Sequence, residues 1–321
     1  MVSVNQESMK LVRRMLANSE RMGVQVHRLP NGTTVVDTGL AAPGGWQAAR
    51  AVVEISLGGL ASVNYEVFRL KNLELPLIRV FTDFPMIACL SCQISGWALK
   101  EMKSDSGIVP LVSGPIRAIV RNDMFSEPFD YEDRWHETVA VLQDDRIPDV
   151  ALTGYLAAEA GVDPENLYVL VAPTGSLVGF INVIARTLET SIWRLHTQGL
   201  DVSGITSAWG SAPLPPPTLD EFSAMVRVNT FTYYGGSAGY MLRENDEKIS
   251  AVLDQLTLSP RTTSQYGIPF GQLLREAGGD IFNMREFCHS VARINLFNTE
   301  SGRYYQYGEI DEDMLWNCLQ E

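Results

Sequence analysis

Arg186 and Glu189 are the two residues whose types and spacing best fit chemistry. They lie three residues apart in a segment predicted to be helical, so their side chains are one turn apart on the same face, together with Asn182. A carboxylate in such a place can take a proton from water, while a guanidinium beside it keeps it ionised and oriented. The simpler interpretation is an ordinary ion pair on the wet face of a helix, worth roughly a few tenths of a kcal/mol.

The elements that precede this pair would position it. An apolar strand from Tyr168 to Pro173 ends at a Thr174-Gly175 turn, and Ser176 leads into the helix. Free N–H groups at such a helix start can bind a carbonyl or phosphate group of a ligand, although Thr174, Gly175 and Ser176 can equally well serve only as a cap. The helix is predicted to run unbroken to about residue 196, because one narrow face carries an apolar stripe: Leu177, Ile181, Ile184, Leu188, Ile192 and Leu195.

Helices and strands alternate along the rest of the chain. Helices are predicted at about residues 3–22, 147–160 and 219–228, the last capped by Thr218. A further helix is predicted to begin after Pro85 and to run to about residue 100. Strands are predicted at about residues 24–29, 33–37, 75–81 and 138–142. This order indicates an α/β fold in two α/β domains, residues 1–128 and 129–321, with a chain that is free to cross back between them.

Composition and charge exclude several classes of partner. The chain has 321 residues, of which 45% are hydrophobic, and a formal net charge of −13. Nucleic acids and anionic membrane surfaces require clustered Lys and Arg, so we expect neither as a partner. No apolar run approaches the roughly 20 residues that cross a bilayer. The N-terminus, where Ser3 and Gln6 resemble a capping box, does not read as a signal peptide. These features predict a soluble, cytoplasmic enzyme.

The cysteines provide a second, weaker candidate site. Cys89 and Cys92 form a CxxC motif, and Cys288-His289 would be the other half of a zinc or redox site. Structural zinc sites usually combine two closely spaced pairs, whereas Cys318 lies far from Cys288 in the sequence. The run around Cys89 reads instead as a buried segment of small and apolar residues. We therefore expect no metal, and we keep a metal-dependent hydrolase that uses Cys89 and Cys92 as an alternative.

Several short sequence segments, which occur in the family's order along nearly the whole chain, resemble those of methenyltetrahydromethanopterin cyclohydrolase. They are Gly161-Val-Asp-Pro-Glu-Asn-Leu-Tyr168, Leu170-Val-Ala-Pro-Thr-Gly-Ser-Leu-Val-Gly179, Arg186-Thr-Leu-Glu-Thr190, Thr82-Asp-Phe-Pro85, Ser113-Gly-Pro115, Gly210-Ser-Ala-Pro213 and Tyr266-Gly-Ile-Pro-Phe270. The resemblance implies an enzyme that uses water and no cofactor to open the methenyl bridge of a reduced pterin C1 carrier to the formyl compound. It also implies two α/β domains with a substrate cleft between them, a homotrimer, and Arg186 and Glu189 as the catalytic residues.

The pterin substrate implied by this resemblance suggests further binding residues. The carboxylate of Asp83 would accept from the amino-pyrimidine edge of a pterin, unless it only forms an Asx turn before Pro85. Ser113, Gly114 and Arg117 would offer backbone and a cation to the substrate tail, unless Arg117 is a plain surface residue. Tyr234 and Gly235 lie in a predicted glycine-rich turn that would let backbone approach the ring, unless they belong to the turn and the core. A non-catalytic protein that binds the pterin carrier is the alternative function.

Overall fold

The structure is a computed structural model, and it describes residues 2–102, 109–126, 129–259, 261–279, 283–284 and 290–320. The chain divides into two compact units. Unit 1 comprises Met1–Ala61 and Ile87–Asn182, and unit 2 comprises Ser62–Met86 and Val183–Glu321. The chain therefore passes from one unit to the other three times, and the boundary predicted at residue 128 falls inside unit 1.

The described residues form these strands and helices. The strands are β1 Gln25–Arg28, β2 Thr34–Asp37, β3 Ala61–Leu70, β4 Leu73–Thr82, β5 Trp97–Ala98, β6 Leu111–Ser113, β7 Thr138–Gln143, β8 Leu167–Ala172, β9 Ile205–Pro213, β10 Ser237–Leu242, β11 Arg293–Asn298 and β12 Tyr304–Gly308. The α-helices are α1 Val4–Ala17, α2 Ser19–Met22, α3 Trp46–Ser56, α4 Ile116–Val120, α5 Val150–Ala160, α6 Leu177–Ile184, α7 Thr187–Thr197, α8 Glu221–Gly235, α9 Asp246–Val252, α10 Phe270–Glu276 and α11 Glu312–Gln320. A π-helix spans Met86–Gln93.

Unit 1 is built on a mixed six-stranded sheet in the order β1-β2-β8-β7-β6-β5. Its centre is parallel, since β8 pairs in parallel with both β2 and β7. These central strands are buried along almost their whole length, as expected of parallel strands that are covered on both faces. Helix α5 packs on β8, while α1 and α3 pack on β7. The carboxyl ends of three parallel strands therefore meet at one edge, close to the predicted Thr174-Gly175 turn.

Unit 2 contains a second mixed six-stranded sheet, in the order β12-β11-β10-β9-β4-β3. Its β4–β9, β9–β10 and β11–β12 pairs are antiparallel, and its β10–β11 pair is parallel. Helix α7 packs against β9 and β10, and α8 packs against β9, α10 and α11. The two mixed sheets with their helices confirm the predicted α/β class.

Several local predictions were wrong. The helix expected over about residues 3–22 is divided at Asn18 into α1 and α2. The helix expected to run to residue 100 is a π-helix that ends at Gln93, followed by the short strand β5. Helix α8 is capped by Asp220 rather than Thr218, because the Asp220 carboxylate accepts from the Ser223 N–H at 2.8 Å. This helix also continues to Gly235, through the segment predicted as a glycine-rich turn.

Other local predictions are confirmed. The Oγ atom of Ser3 accepts from the Gln6 N–H and caps α1. Strands β1 and β2 form the predicted antiparallel hairpin, with Gly32 in its turn. The φ angle of Gly32 is +92°, a left-handed conformation that glycine adopts without a Cβ clash.

Candidate active site

Arg186 and Glu189 lie at the start of α7 rather than within one long helix. The predicted continuous helix is broken at Ala185 and Arg186, so α6 ends at Ile184 and Arg186 occupies the N-cap position of α7. No glycine or proline marks this break in the sequence. Asn182 lies on α6 in unit 1, whereas Arg186 and Glu189 lie in unit 2. Glu189 is the third residue of α7, where the positive end of the helix dipole favours a carboxylate.

The two side chains form a buried ion pair. The Nη1 atom of Arg186 lies 3.8 Å from Oε1 of Glu189, and the side chains are only 9% and 7% exposed. The Thr190 hydroxyl lies 3.4 Å from the same carboxylate oxygen, as a weak donor. Charges this far from solvent interact more strongly than a surface pair, since water screens them less. The pair therefore combines a base, a neighbouring cation and a protected position.

Strand β9 allows the start of α7 to come close to the sheet. A Cβ atom at Gly210 would lie 3.0 Å from Cγ of Leu188 and closer still to Oγ1 of Thr187. Glycine is thus required at this position by close approach, because a side chain would push away the turn that carries Glu189. This close approach accounts for the glycine in the family-like segment Gly210-Ser-Ala-Pro213 without any contact to a ligand.

Asn182 has an unsatisfied polar atom. It lies in the last turn of α6, and it is only 6% exposed. Its Oδ1 atom has no hydrogen-bond partner among the residues that the structure describes. Buried amide oxygens are normally paired, so an orphaned one marks a place where a ligand or water can donate. Asn182 therefore remains a candidate binding residue on geometric grounds.

The Thr174–Ser176 turn has clear structural tasks in unit 1. The Oγ atom of Ser176 accepts from the Gly179 N–H at 3.1 Å and donates to the Pro173 carbonyl at 2.8 Å, which makes Ser176 the cap of α6. Thr174 is 1% exposed and accepts from the side-chain amide of Gln143. Gly175 lies between them and is buried. The capping interpretation therefore accounts for Ser176, and ligand binding by this turn stays a prediction.

Arg117 is buried, which excludes the surface-residue interpretation. Its guanidinium makes a two-pronged contact with Asp123, with Nε 2.8 Å from Oδ2 and Nη2 2.6 Å from Oδ1. Its Nη1 donates to the Leu90 carbonyl at 2.9 Å. The donors of Arg117 are thus used within unit 1, so the fold accounts for its charge without a substrate tail.

Ser113 and Gly114 lie at the end of β6. The Ser113 hydroxyl is buried and lies 3.3 Å from the Val141 carbonyl on the next strand. Gly114 has a φ of +93°, and its N–H donates to the Cys92 carbonyl at 2.8 Å. Both residues shape the end of the sheet in unit 1, and a contact of either with substrate stays a prediction.

In unit 2, Asp83 follows the end of β4 and is exposed. The expected turn before Pro85 is present, but Thr82 forms it, since its hydroxyl accepts from the Phe84 N–H at 3.0 Å. The exposed carboxylate of Asp83 could therefore accept from an amino-pyrimidine edge. Asp83 therefore stays a predicted binding residue.

Tyr234 and Gly235 belong to the core of unit 2. The Tyr234 ring is 1% exposed and packs against Tyr266, with ring centroids 5.3 Å apart. Burial raises the pKa of the Tyr234 hydroxyl, which accepts from the Gly267 N–H at 3.4 Å. A Cβ atom at Gly235 would lie 3.1 Å from Cδ1 of Leu315. These contacts correspond to the core alternative, and they give no support to an approach of backbone to a ring.

The CxxC motif is buried within the π-helix of unit 1. Neither Cys89 nor Cys92 is in a disulfide, and neither has exposed surface. Burial raises the pKa of the Cys92 thiol well above its usual range, so it stays protonated at neutral pH. Among the described residues, no group of three or more His, Cys, Asp or Glu side chains is arranged to hold a metal ion. Cys288 and His289 lie outside the described residues.

Asp144 is a buried acid that the sequence reasoning missed. It follows β7, it is 1% exposed, and its Oδ2 atom has no hydrogen bond within the described part of the chain. Burial raises its pKa to about 6, although Arg146 opposes this with Nε at 3.8 Å. The sequence around it, Gln-Asp-Asp-Arg, looks like a solvated loop. Only its place at the buried carboxyl end of a parallel strand could have indicated its state.

The fold and the pair together define a class of protein. Two mixed six-stranded sheets with their helices define an α/β protein, in which unit 2 holds a buried acid beside a cation at the start of α7. Within the described residues, none of the helices is both long and apolar enough to cross a membrane.

Comparison with known proteins gives the family. The family described as Cyclohydrolase (MCH) matches residues 3–319. The chain is 35% identical to methenyltetrahydromethanopterin cyclohydrolase of Methanospirillum hungatei, over 98% of both chains. It is 33% identical to the enzyme of that name from Methanosarcina barkeri, over 98% of this chain and 97% of the relative. For the one from Methylobacillus flagellatus the identity is 31%, over 98% and 94%. This chain belongs to the cyclohydrolase (MCH) family.

Proposed function

We propose that this protein hydrolyses 5,10-methenyl-tetrahydromethanopterin to 5-formyl-tetrahydromethanopterin, with Glu189 as general base and Arg186 as its orienting partner. The substrate is inferred from the relatives, which carry the corresponding enzyme name at 31–35% identity over nearly their whole length. The observation that supports the roles is the buried ion pair at the start of α7. A solvent-facing pair could not protect a base in this way.

The chemistry needs little more than a placed water and a proton carrier. The methenyl carbon lies between two nitrogens and carries delocalised positive charge, so it is already an electrophile. Water adds to this carbon while Glu189 takes one of its protons, which gives a neutral hydroxylated carbon. The bond to one nitrogen then breaks as protonated Glu189 donates to that nitrogen. The hydroxyl proton leaves to solvent, and the formyl group remains on the other nitrogen.

Arg186 would act through its positive charge and by orienting the groups that react. A cation 3.8 Å from the carboxylate favours its ionised form, which is the form able to accept a proton. The planar guanidinium carries its N–H donors in a fixed fork, which suits it to orient the attacking water or the forming formyl oxygen. General-base steps of this kind typically contribute about 10²- to 10⁴-fold to the rate.

The direct test is the absorbance of a methenyl-pterin after addition of the purified protein. We expect a catalytic loss of absorbance, faster than the spontaneous hydrolysis in the same buffer. A non-catalytic carrier-binding protein would bind the compound without that loss. A metal-dependent hydrolase using Cys89 and Cys92 would lose its turnover in EDTA and regain it with zinc. We expect the same rate with and without EDTA.

The assembly and location expected from the sequence remain predictions. A homotrimer would have about three times the 35.5 kDa mass of one chain in light scattering after size-exclusion chromatography. A monomer in that measurement would contradict it. A cytoplasmic location is tested by fractionating cells that express the untagged full chain.

A further inference from the structure

A buried tyrosine hydroxyl contacts the turn of α7 that carries Glu189. The hydroxyl of Tyr240, on β10, donates to the Leu188 carbonyl at 2.9 Å. It also lies 2.6 Å from the hydroxyl of Ser191. The Ser191 hydroxyl also lies 2.5 Å from the Thr187 carbonyl, so its one proton goes either to that carbonyl or to Tyr240. Tyr240 and Ser191 have no exposed surface. The first turn of α7 is therefore hydrogen-bonded to the sheet through the Tyr240 hydroxyl, which also contacts the helix at Ser191.

These bonds are additional to those that make the helix. Each carbonyl in an α-helix already accepts from the N–H four residues later, so α7 would form without either hydroxyl. A carbonyl has a second lone pair, and here the hydroxyls use it. A phenylalanine at position 240 would fill the same apolar space, whereas a buried hydroxyl is unfavourable unless it is bonded. The hydroxyl of Tyr240 thus fixes the position of the helix rather than its existence.

The turn of α7 that is hydrogen-bonded to Tyr240 is the same turn that packs closely against Gly210 on β9. Tyr240 pairs with Ala208 on β9, two residues from Gly210. Leu188 receives the tyrosine hydroxyl on its carbonyl, and its side chain lies against Gly210. Glu189 is the next residue along the chain. The distance of the Glu189 carboxylate from the sheet is therefore set by the close approach of Leu188 to Gly210 and by the hydrogen bond from Tyr240 to Leu188.

We infer that Tyr240 is a positioning residue for the reaction, acting through α7 to hold Glu189 in place. This inference rests on the proposed function. A general base must meet the proton within a narrow range of distance, and misplacement by about 1 Å can cost about 10²-fold in rate. Loss of one of several restraints should cost less than that.

The test is Tyr240→Phe, with Tyr131→Phe as a matched control in unit 1. Tyr131 is equally buried, and its hydroxyl also makes two backbone contacts, to Val2 and Val4, at 2.8 and 3.3 Å. We expect Tyr240→Phe to lower kcat about tenfold and to change KM by less than about twofold, since binding groups elsewhere are untouched. The control should keep both constants. Ser191→Ala should lower kcat similarly, and the double variant should lose less than the product of the two, because both hydroxyls belong to one network.

Hydrogen exchange gives a readout that does not depend on turnover. Tyr240→Phe should speed exchange at the first amides of α7 about tenfold, while the control leaves them unchanged. An unchanged kcat in both Tyr240→Phe and Ser191→Ala would overturn the inference, as would an equal loss in Tyr131→Phe. If the unaltered protein shows no turnover, the proposed function fails. Unchanged exchange in Tyr240→Phe would then still show that this hydroxyl does not hold α7.

Discussion

Nη1 of Arg186 and Oε1 of Glu189 are 3.8 Å apart, close enough for an ion pair but too far for a hydrogen bond. The two side chains are only 9% and 7% exposed, so they do not form an ion pair on the solvent-exposed face of a helix. A guanidinium that clamps a carboxylate approaches in a fork at about 2.8 Å, as Arg117 does with Asp123. The contact between Arg186 and Glu189 is looser than that fork.

Glu189→Gln should abolish most turnover while substrate still binds. Glutamine keeps the size and one acceptor oxygen but cannot take a proton, so we expect kcat to fall about 10²- to 10⁴-fold. Stopped-flow turnover and equilibrium binding of the methenyl-pterin separate the two effects. Glu137→Gln is the matched control, because Glu137 is an acid of similar burial, paired with Arg13 in unit 1. If Glu189→Gln turned over at the normal rate, the claim that α7 carries the chemistry would end.

Arg186→Lys should also lose most of its activity. Lysine keeps the charge but not the planar fork of donors, so a residue that only balances charge would tolerate the change. We expect at least about a tenfold fall in kcat at unchanged melting temperature. The parallel variant Arg50→Lys alters an exposed ion pair with Glu54 and should behave as the unaltered protein. Full activity in Arg186→Lys would reduce Arg186 to a simple counter-charge.

Gly210→Ala should displace α7 from its strand. The added methyl group meets Thr187 and Leu188, so we expect a loss of about 1 to 3 kcal/mol in the free energy of unfolding, together with reduced turnover. Gly154→Ala is the control, since a Cβ there, inside α5, meets nothing within 4 Å. That control should gain up to about 1 kcal/mol from helix propensity. Chemical denaturation of both variants decides, and equal stability of the two would contradict the close-approach argument.

The double variant Cys89→Ser and Cys92→Ser should fold and stay active. Burial keeps the Cys92 thiol protonated at neutral pH, which disfavours the thiolate that a nucleophile needs. Two buried hydroxyls should lower the free energy of unfolding by about 1 to 3 kcal/mol. Melting temperature and turnover are measured against Cys318→Ser, at another buried cysteine that is not in a disulfide. A double variant that folds normally without turnover would give the CxxC motif a chemical role.

Asp144→Asn should stabilise the protein at neutral pH. The folded protein raises the pKa of Asp144 from 3.8 to about 6 through burial. Between those values the folded state holds a proton that the unfolded state releases, so stability falls as pH rises through this window. Asparagine avoids the buried charge, which should add on the order of 2 kcal/mol at pH 7.5 and nothing below about pH 4. Melting temperature against pH tests this, and a variant less stable at pH 7.5 would contradict it.

Local patterns in the sequence sufficed for much of the fold. The Ser3 cap of α1, the β1–β2 hairpin and the strand that leads to Thr174 depend on residues close together in the chain. The spacing of Arg186 and Glu189 belongs to the same kind of information. It survives the break before α7, since three residues separate the pair in either case.

Tertiary structure alone decided the rest. The break at Arg186 carries no glycine or proline, and α7 instead follows the surface that Gly210 and Tyr240 offer from distant strands. Arg117 and Asp144 carry charges that a local pattern assigns to solvent, yet packing buries both. Burial and close approach are set by residues far away in the sequence. The sequence by itself therefore determined which side chains carry groups that are able to do chemistry. Only the packing of strands on helices decided which of these side chains are held in place by contacts, which are buried, and which have a polar atom without a hydrogen bond.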